Sequence, residues 1–513
     1  MVESTEHGWS RCVELLAALD AALGSIATLR AELDAARAET AVLRQKVADL
    51  EAKLAAALKN SGNSSKPPSS DITKPPKTKG KKGEKGKRKI GGQPGHPRHT
   101  RPPFEMSAID HFIETGRLNE CPCCQGKLVD GQPSDRKVFQ QVELPEGKQF
   151  EVTQHTAQAQ WCETCQKTLH APWPKELVAA GLVGPKLTAL IGFLKGPCHM
   201  SISNIKKYLR DVVGFRLSRG QIAKLVAKVS LSLRDPFEQL AAMLEKESVL
   251  NVDETGHKQN GSRLWTWCFR AALFTVYKIS PSRGCKVLVE TLGKEFNGLL
   301  GCDYFSAYRK YMRLNANVQI QFCMAHLIRD VKFLAEHPDE ENKAHGQRLL
   351  AHLRKLFSII HRRADYPTEE KFRKALEKVR MELVFAATFG VPETREASNV
   401  AERFFKHTAE YFRFISEPVE PTNNSAEQMI RFIAIHRRIT QGTRGDTGQR
   451  WVERMATAFA TCEQQGRSFF LFVVEAIKNL FAGLDAPSLL SGLTDKVAEC
   501  LSSPPEPAVV GTS

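Results

Sequence analysis

The chain has 513 residues, 42% hydrophobic and 25% charged, with 73 Lys and Arg against 57 Asp and Glu for a net +16. That length makes about three or four units at ~150 residues each, and the ordinary balance of apolar to charged residues excludes a chain disordered throughout. Without an uninterrupted apolar run of ~18 residues or a basic-then-apolar N-terminus, and with thirteen thinly spread cysteines, it reads as a basic, cytoplasmic protein with no membrane partner.

Residues 1–58 carry six Lys and Arg against nine Asp and Glu, and they hold a heptad. Leu19, Ile26, Leu33, Thr40, Val47 and Leu54 fill one seam position, and Leu15, Ala22, Leu29, Ala36, Leu43, Leu50 and Ala57 the other. Spacings that alternate four and three over six heptads predict a coiled coil. Glu32, Glu39 and Lys46 at g meet Arg37, Arg44 and Glu51 at e of a parallel partner, all attractive pairs, so the expectation is a parallel homodimer.

Residues 59–103 form a basic linker, predicted to be extended and disordered. Thirteen of its residues are Lys or Arg, and Lys77, Lys79, Lys81, Lys82, Lys85, Lys87, Arg88 and Lys89 form its densest run. The natural partner of such a block is phosphate backbone, although a solubilising linker has the same composition.

Residues 104–175 form a small cysteine-bearing module. Cys121 and Cys124 lie in one CxxC and Cys162 and Cys165 in a second, with Cys123 as the spare. Two such turns can present four thiolates to one structural Zn²⁺ in a zinc-ribbon-like module, whereas a redox site needs only one. Cys12, Cys198, Cys268, Cys285, Cys302, Cys462 and Cys500 read as small buried hydrophobes.

Residues 176–246 are helical by pattern, with Ile202 to Val213 in one helix and a Ser218-initiated helix through Leu225 and Val229 in the next. That is compatible with a helix-turn-helix DNA-binding domain and equally with any αα-hairpin. Residues 247–325 switch to strands at 249–252, 264–273, 274–279, 299–302 and 318–323, with one helix near 284–296, a mixed α/β core. Residues 326–420 are a charged helical insertion, 421–445 a further helix, and 446–513 a helical C-terminus.

Asp253 and Asp303 each end a short apolar run, at the C-terminal end of a predicted strand. Side by side, two such strands would hold two carboxylates within one cation's reach, and hard oxygen ligands suit Mg²⁺ or Mn²⁺. A strand-end Asp that only begins a turn is the alternative. Glu427 is a third acid, and Asn424 with Glu427 also has the N-cap to N3 spacing of a capping pair.

These segments together resemble the larger, catalytic transposase of the insertion sequence 66 family, of the DDE type. The resemblance rests on Asn-Ser-Ser-Lys-Pro-Pro-Ser-Ser-Asp at 63–71, Gly-Gly-Gln-Pro-Gly-His at 91–96, the Cys-Pro-Cys-Cys knuckle, Val-Asp-Glu-Thr at 252–255, Asp303-Tyr304 with Tyr308, and Pro-Thr-Asn-Asn-Ser-Ala-Glu at 421–427. It implies a multidomain α+β protein with a ribonuclease-H-like core interrupted by a helical insertion. It also implies a metal-binding triad of Asp253, Asp303 and Glu427 holding two Mg²⁺ or Mn²⁺ ions, DNA (transposon ends and target) as partner, and small accessory proteins of the same element. Cys323, His326 and Arg329 resemble a Cys/His motif of related transposases with an accessory role. Arg431, one turn past Glu427, can orient that carboxylate, touch phosphate or face solvent. After the third acid the family continues into Arg-Lys and a Ser-rich turn, whereas this chain has Arg437-Arg438-Ile439-Thr440-Gln441-Gly442. A non-catalytic zinc-containing DNA-binding protein and a structure-selective nuclease of the same core are the rival readings.

Overall fold

The structure, a computed structural model, describes residues 3–58, 102–109, 123, 125, 149–157, 159–162, 167–170 and 172–490. The basic run 77–89, Cys121, Cys124, Cys165 and the Cys162 side chain lie outside the described residues. It is mostly helical, with one mixed five-stranded sheet. The chain divides into two units, one of residues 1–75, 156–207 and 217–513, the other of residues 76–155 and 208–216. In the second, Phe150 packs on Phe215 with ring centroids 5.4 Å apart.

In the first unit, α1 (Glu3–Leu58) is one continuous helix. Its seam leucines are exposed, and even Ile26 keeps 46% of its surface in solvent. An apolar stripe this long needs a cover from outside its own helix, which fits a coiled coil. A short hairpin follows, β1 (Ala159–Cys162) antiparallel to β2 (Lys167–His170).

Then come α2 (Lys175–Ala180), α3 (Pro185–Lys195), α4 (Ile202–Tyr208), α5 (Arg219–Ser232) and α6 (Arg234–Met243). Ser218 begins α5 with a reciprocal capping box: its hydroxyl accepts the Gln221 N–H at 3.2 Å, and the Gln221 side chain accepts the Ser218 N–H at 2.8 Å. Among the described residues, 175–195 alone are long and apolar enough by composition to cross a membrane, a stretch the sequence reading overlooked. Here the stretch is broken into two helices at residues 181–184, and α3 packs on α5 and α15 (Phe469–Ala482). Gly192 lies so close to Val229 that a Cβ there would sit 2.9 Å from a valine methyl.

The sheet contains β3 (Val249–Gln259), β4 (Ser262–Arg270), β5 (Thr275–Ser280), β6 (Leu299–Cys302) and β7 (Gln319–Phe322), in the order β5-β4-β3-β6-β7. The β5, β4 and β3 strands are antiparallel neighbours, and β3, β6 and β7 run parallel. Asn260 and Gly261, with φ of 48° and 85°, turn β3 into β4. An Asn-Gly pair at positive φ makes the two-residue turn that matches strand twist, and it lets β3 run on to Gln259, well past Asp253. The parallel pairs need crossovers, and α7 (Lys286–Leu292) and α8 (Ser306–Leu314) supply them. All four residues of β6 are buried, as in a parallel strand covered on both faces.

The insertion is α9 (Met324–Ala335), α10 (Glu340–His361), α11 (Glu369–Thr388) and α12 (Arg395–Phe412), packed in sequence around Leu349, Leu353, Leu376 and Leu383. The chain then returns through α13 (Asn424–Thr440) beneath β3 and β4, and through α14 (Asp446–Gln464) beside β5. Glu453, Thr457 and Thr461, one turn apart on α14, accept the N–H groups of Ile279, Tyr277 and Thr275 at 2.7, 3.0 and 3.2 Å. This comb of side chains satisfies the outer edge of β5, which would otherwise present a row of bare donors. Cys198 is exposed in the loop after α3, against the expectation that it is buried; Cys268, Cys285, Cys302, Cys323 and Cys462 are buried.

Candidate active site

The parallel register pairs Asn251 of β3 with Gly301 of β6, which places Asp253 level with Asp303 two residues further on. Asp303 directly follows its strand, as expected. Asp253 lies in mid-strand, because the hairpin with β4 carries β3 onward after the pairing with β6 ends. Each carboxylate is tied locally: Asp253 Oδ1 accepts the Glu254 N–H and Asp303 Oδ1 the Phe305 N–H, both at 2.9 Å.

Glu427 joins them from α13, 124 residues after Asp303 in sequence. It is not part of a capping box. The N-cap is Asn423, whose side chain makes no cap bond. Instead Asn423 Nδ2 donates to the Val252 carbonyl at 2.8 Å, and its Oδ1 accepts from Asn251 Nδ2 at 2.9 Å. The Asn423 N–H reaches Cys323 Sγ at 3.1 Å, and the Met324 N–H donates to the Pro421 carbonyl at 2.9 Å. These bonds fasten the start of α13 to β3 and α9 and leave the Glu427 carboxylate free for other partners. Gly301 makes the clamp possible, since a Cβ there would overlap Asn251 Nδ2.

The charge of Glu427 reaches both aspartates. Burial, then the charges of Glu254, Asp303 and Glu427, push the Asp253 carboxyl well above the usual range. Burial and then Glu254 and Glu427 push Asp303 up to about 7, with the Phe305 N–H and the Arg283 charge opposing. Crowded carboxyl groups that resist ionisation together are the donor set a divalent cation neutralises, so these residues fit Mg²⁺ or Mn²⁺.

A second layer was not foreseen from sequence. The side chain of Glu254 is 1% exposed, bonded to Arg283 at 2.8 Å and to the Tyr308 hydroxyl at 2.6 Å. Arg283 stacks between Trp265 and Phe305, at 4.5 and 3.9 Å from their ring centres. With Lys310 and Arg313 it lines a depression of about 350 Å³ at the start of α8. The adjacent Asp253-Glu254 pair is the signal that was available: strand alternation sends one acid to the open face and the other inward.

Arg329 Nη2 holds Glu427 Oε2 at 3.3 Å, and His326 Nδ1 faces Glu427 Oε1 at 3.5 Å. Arg431 is exposed on α13, so the guanidinium that orients Glu427 belongs to Arg329. The divergent segment after the third acid is built into the fold. Arg437 donates to Thr255 Oγ1 and the Gly256 carbonyl, and Thr443 bridges to Gln259, sealing the α13–α14 turn against the β3–β4 hairpin.

A family model described as Transposase IS66 family matches residues 180–450, which include all three acids, the insertion and the sheet. The chain belongs to the IS66 transposase family. A second model, a family of unknown function (DUF6444), matches residues 19–102. No curated protein matches the chain. Membership in a transposase family implies DNA transposition, a nuclease or transposase type of activity, and a general need for divalent metal ions.

Proposed function

We propose that this member of the IS66 family is a catalytic DNA transposase that cuts and joins strands at transposon ends with a DDE triad of Asp253, Asp303 and Glu427. The observation that carries the reading is that Asp253 and Asp303 lie level across β3 and β6 and that the charge of Glu427 on α13 raises both carboxyls. We read the sheet, with its antiparallel and parallel halves meeting at β3, as a ribonuclease-H-like core and α9–α12 as its insertion. Two Mg²⁺ or Mn²⁺ ions would be held by the three acids, and bound there they supply activation of the attacking oxygen and stabilisation of the leaving one in phosphodiester displacement. The protein's own part is positional. Asn423 fixes the helix that carries Glu427, Arg329 sets that carboxylate's orientation, and Tyr308 and Arg283 hold Glu254, whose backbone N–H bonds Asp253 Oδ1. Arg283, Lys310 and Arg313 offer a basic surface for the phosphates flanking the cut.

In the same reading α1 forms a parallel homodimer, residues 59–103 meet DNA phosphates, residues 104–175 bind one structural Zn²⁺ through Cys121, Cys124, Cys162 and Cys165, and residues 176–246 contact DNA. The test is Asp253→Asn. Cleavage of transposon-end DNA in Mg²⁺ should fall by at least about 10³-fold, while binding measured by mobility shift changes less than about threefold, because an ion ligand is lost and no phosphate contact is. Retained cleavage would remove the triad.

A further inference from the structure

Cys323, His326 and Glu427 meet where α9 starts against the first turns of α13. The Cys323 sulfur, a His326 ring nitrogen and a Glu427 oxygen all lie within 4.8 Å of one another. Two of these donors, His326 Nδ1 and Glu427 Oε1, are buried and lack a hydrogen-bond partner, yet they face each other at 3.5 Å. Buried polar atoms normally find partners, and with the ring proton on Nε2 both atoms are electron donors aimed at one point, where a cation between them satisfies both. In a tetrahedral shell with bonds of about 2.0–2.2 Å, nitrogen and oxygen ligands sit roughly 3.3–3.5 Å apart. The observed spacing is that of two ligands on one ion. Arg329 occupies only Oε2 of Glu427, so Oε1 is left for it.

The third donor suits the same ion. Cys323 caps α9, a helix of 12 residues, and its sulfur already accepts the Asn423 N–H. Burial and the Glu427 charge push its thiol up to about 11 against the opposing N–H groups of Asn423, His326 and Ala325, so an ion that binds there displaces a proton. A set of one sulfur, one nitrogen and one oxygen selects a borderline-soft transition ion over Mg²⁺, which takes oxygen almost exclusively.

We propose that Cys323, His326 and Glu427 form a binding site for a zinc-class ion, and that its occupancy withdraws Glu427 from Asp253 and Asp303, so that zinc opposes the magnesium-dependent reaction. Three protein ligands leave the fourth position to water. The binding half stands on the cluster alone; the inhibitory half rests on the reading of Glu427 as the third acid.

The experiment uses the full chain, stripped of metal and titrated with Zn²⁺ alone and then with Co²⁺ as a coloured probe. Cys323→Ser should bind one equivalent fewer than the parent and lose a visible Co²⁺ band belonging to a one-thiolate site. The same loss is expected on the Cys162→Ser background, which keeps this site separate from the cysteine module. His326→Gln provides the second variant should Cys323→Ser fail to fold. Equal stoichiometry and equal spectra in parent and His326→Gln overturn the site. For inhibition, the readout is the ratio of cleavage without and with micromolar Zn²⁺ at fixed Mg²⁺, within each variant. A ratio of tenfold or more in the parent that falls to near one in Cys323→Ser supports the competition, and equal ratios overturn it. If Asp253→Asn still cleaves while the zinc difference persists, the triad fails and the zinc site survives.

Discussion

At the scale of single residues, the site is a problem of charge. Asp253 and Asp303 are held level by the parallel register and share one half-buried face with Glu427, so each ionisation makes the next harder. Asp303 titrates near 7 in the folded chain, against about 3.8 for an ordinary Asp. A carboxyl raised in this way binds its proton more tightly when folded. Its stabilising contribution is therefore complete below about pH 4 and lost as pH rises through 7. A divalent ion reverses the trend, because it binds the ionised form and replaces the proton. The metal-free protein should lose thermal stability between pH 5 and pH 8, and saturating Mg²⁺ should raise Tm by about 5 °C or more at pH 8 with little effect at pH 5. Differential scanning calorimetry at both pH values checks this, and an equal Mg²⁺ increment at the two would contradict it. In Asp303→Asn the pH dependence of the increment should flatten. The groups that orient these acids are as specific as the acids themselves. Asn423 is 2% exposed and spends its side chain on Asn251 and Val252, the residues just before Asp253.

At the scale of elements, the hairpin of β3 and β4 and the turn from α13 to α14 hold the third acid's helix in place. Thr443 pairs with the backbone of Lys258 and Asn260, and Gly442 comes so close that a Cβ would overlap the Lys258 carbonyl, at a φ of +97°. Gly445 has a similar φ of +99° but open space around it. Gly442→Ala should therefore destabilise by roughly 2–4 kcal/mol, strain plus overlap, and Gly445→Ala by strain alone, roughly 1–2 kcal/mol. Urea unfolding of the pair measures the difference; equal losses would mean that the close approach has no energetic weight. Four of the five strands were legible from an apolar run and β7 from its apolar-polar alternation, and Ser218 announced its helix by its cap. Helix α8 was missed because its buried face is Ala307, Tyr308 and Tyr311 within an otherwise polar and basic stretch, which has no aliphatic periodicity. The end of β3, Gly-His-Lys-Gln, is polar as well, and is held in the strand by pairing with β4 and by the Asn260-Gly261 turn. The three acids were candidates because two of them end apolar runs and the third lies in a motif, although Asp253 proves to be in mid-strand. Their partners could not, since Arg329 and Glu427 lie 98 positions apart and Asn423 and Val252 lie 171 apart, distances over which no local pattern speaks.

At the scale of the whole molecule, charge and apolar surface are distributed by task. The acidic helix α1 exposes its seam, and the following 59–101 hold thirteen of the 73 Lys and Arg against two acids. On our reading, α1 pairs two chains and the basic run adds affinity for DNA of any sequence. Lys77 to Lys89 alternate with Gly and Thr and include no aromatic residue to stack on a base, so their contacts should be to phosphates. Each phosphate contact releases about 0.9 of a counterion, so the eight cations set an upper limit of about 7 on the share of the salt slope they carry per chain. Replacing all eight by Gln should weaken binding to end DNA and to unrelated DNA alike and flatten the plot of log affinity against log salt. The ratio between the two DNAs should stay within about threefold. Fluorescence anisotropy across a salt series reads both quantities at once. Deleting residues 1–58 instead should halve the mass in light scattering and leave the slope per chain intact, because the seam and the cations act independently. A lost ratio with an unchanged slope in the Gln variant would make the linker a reader of sequence and move recognition out of the folded helical region.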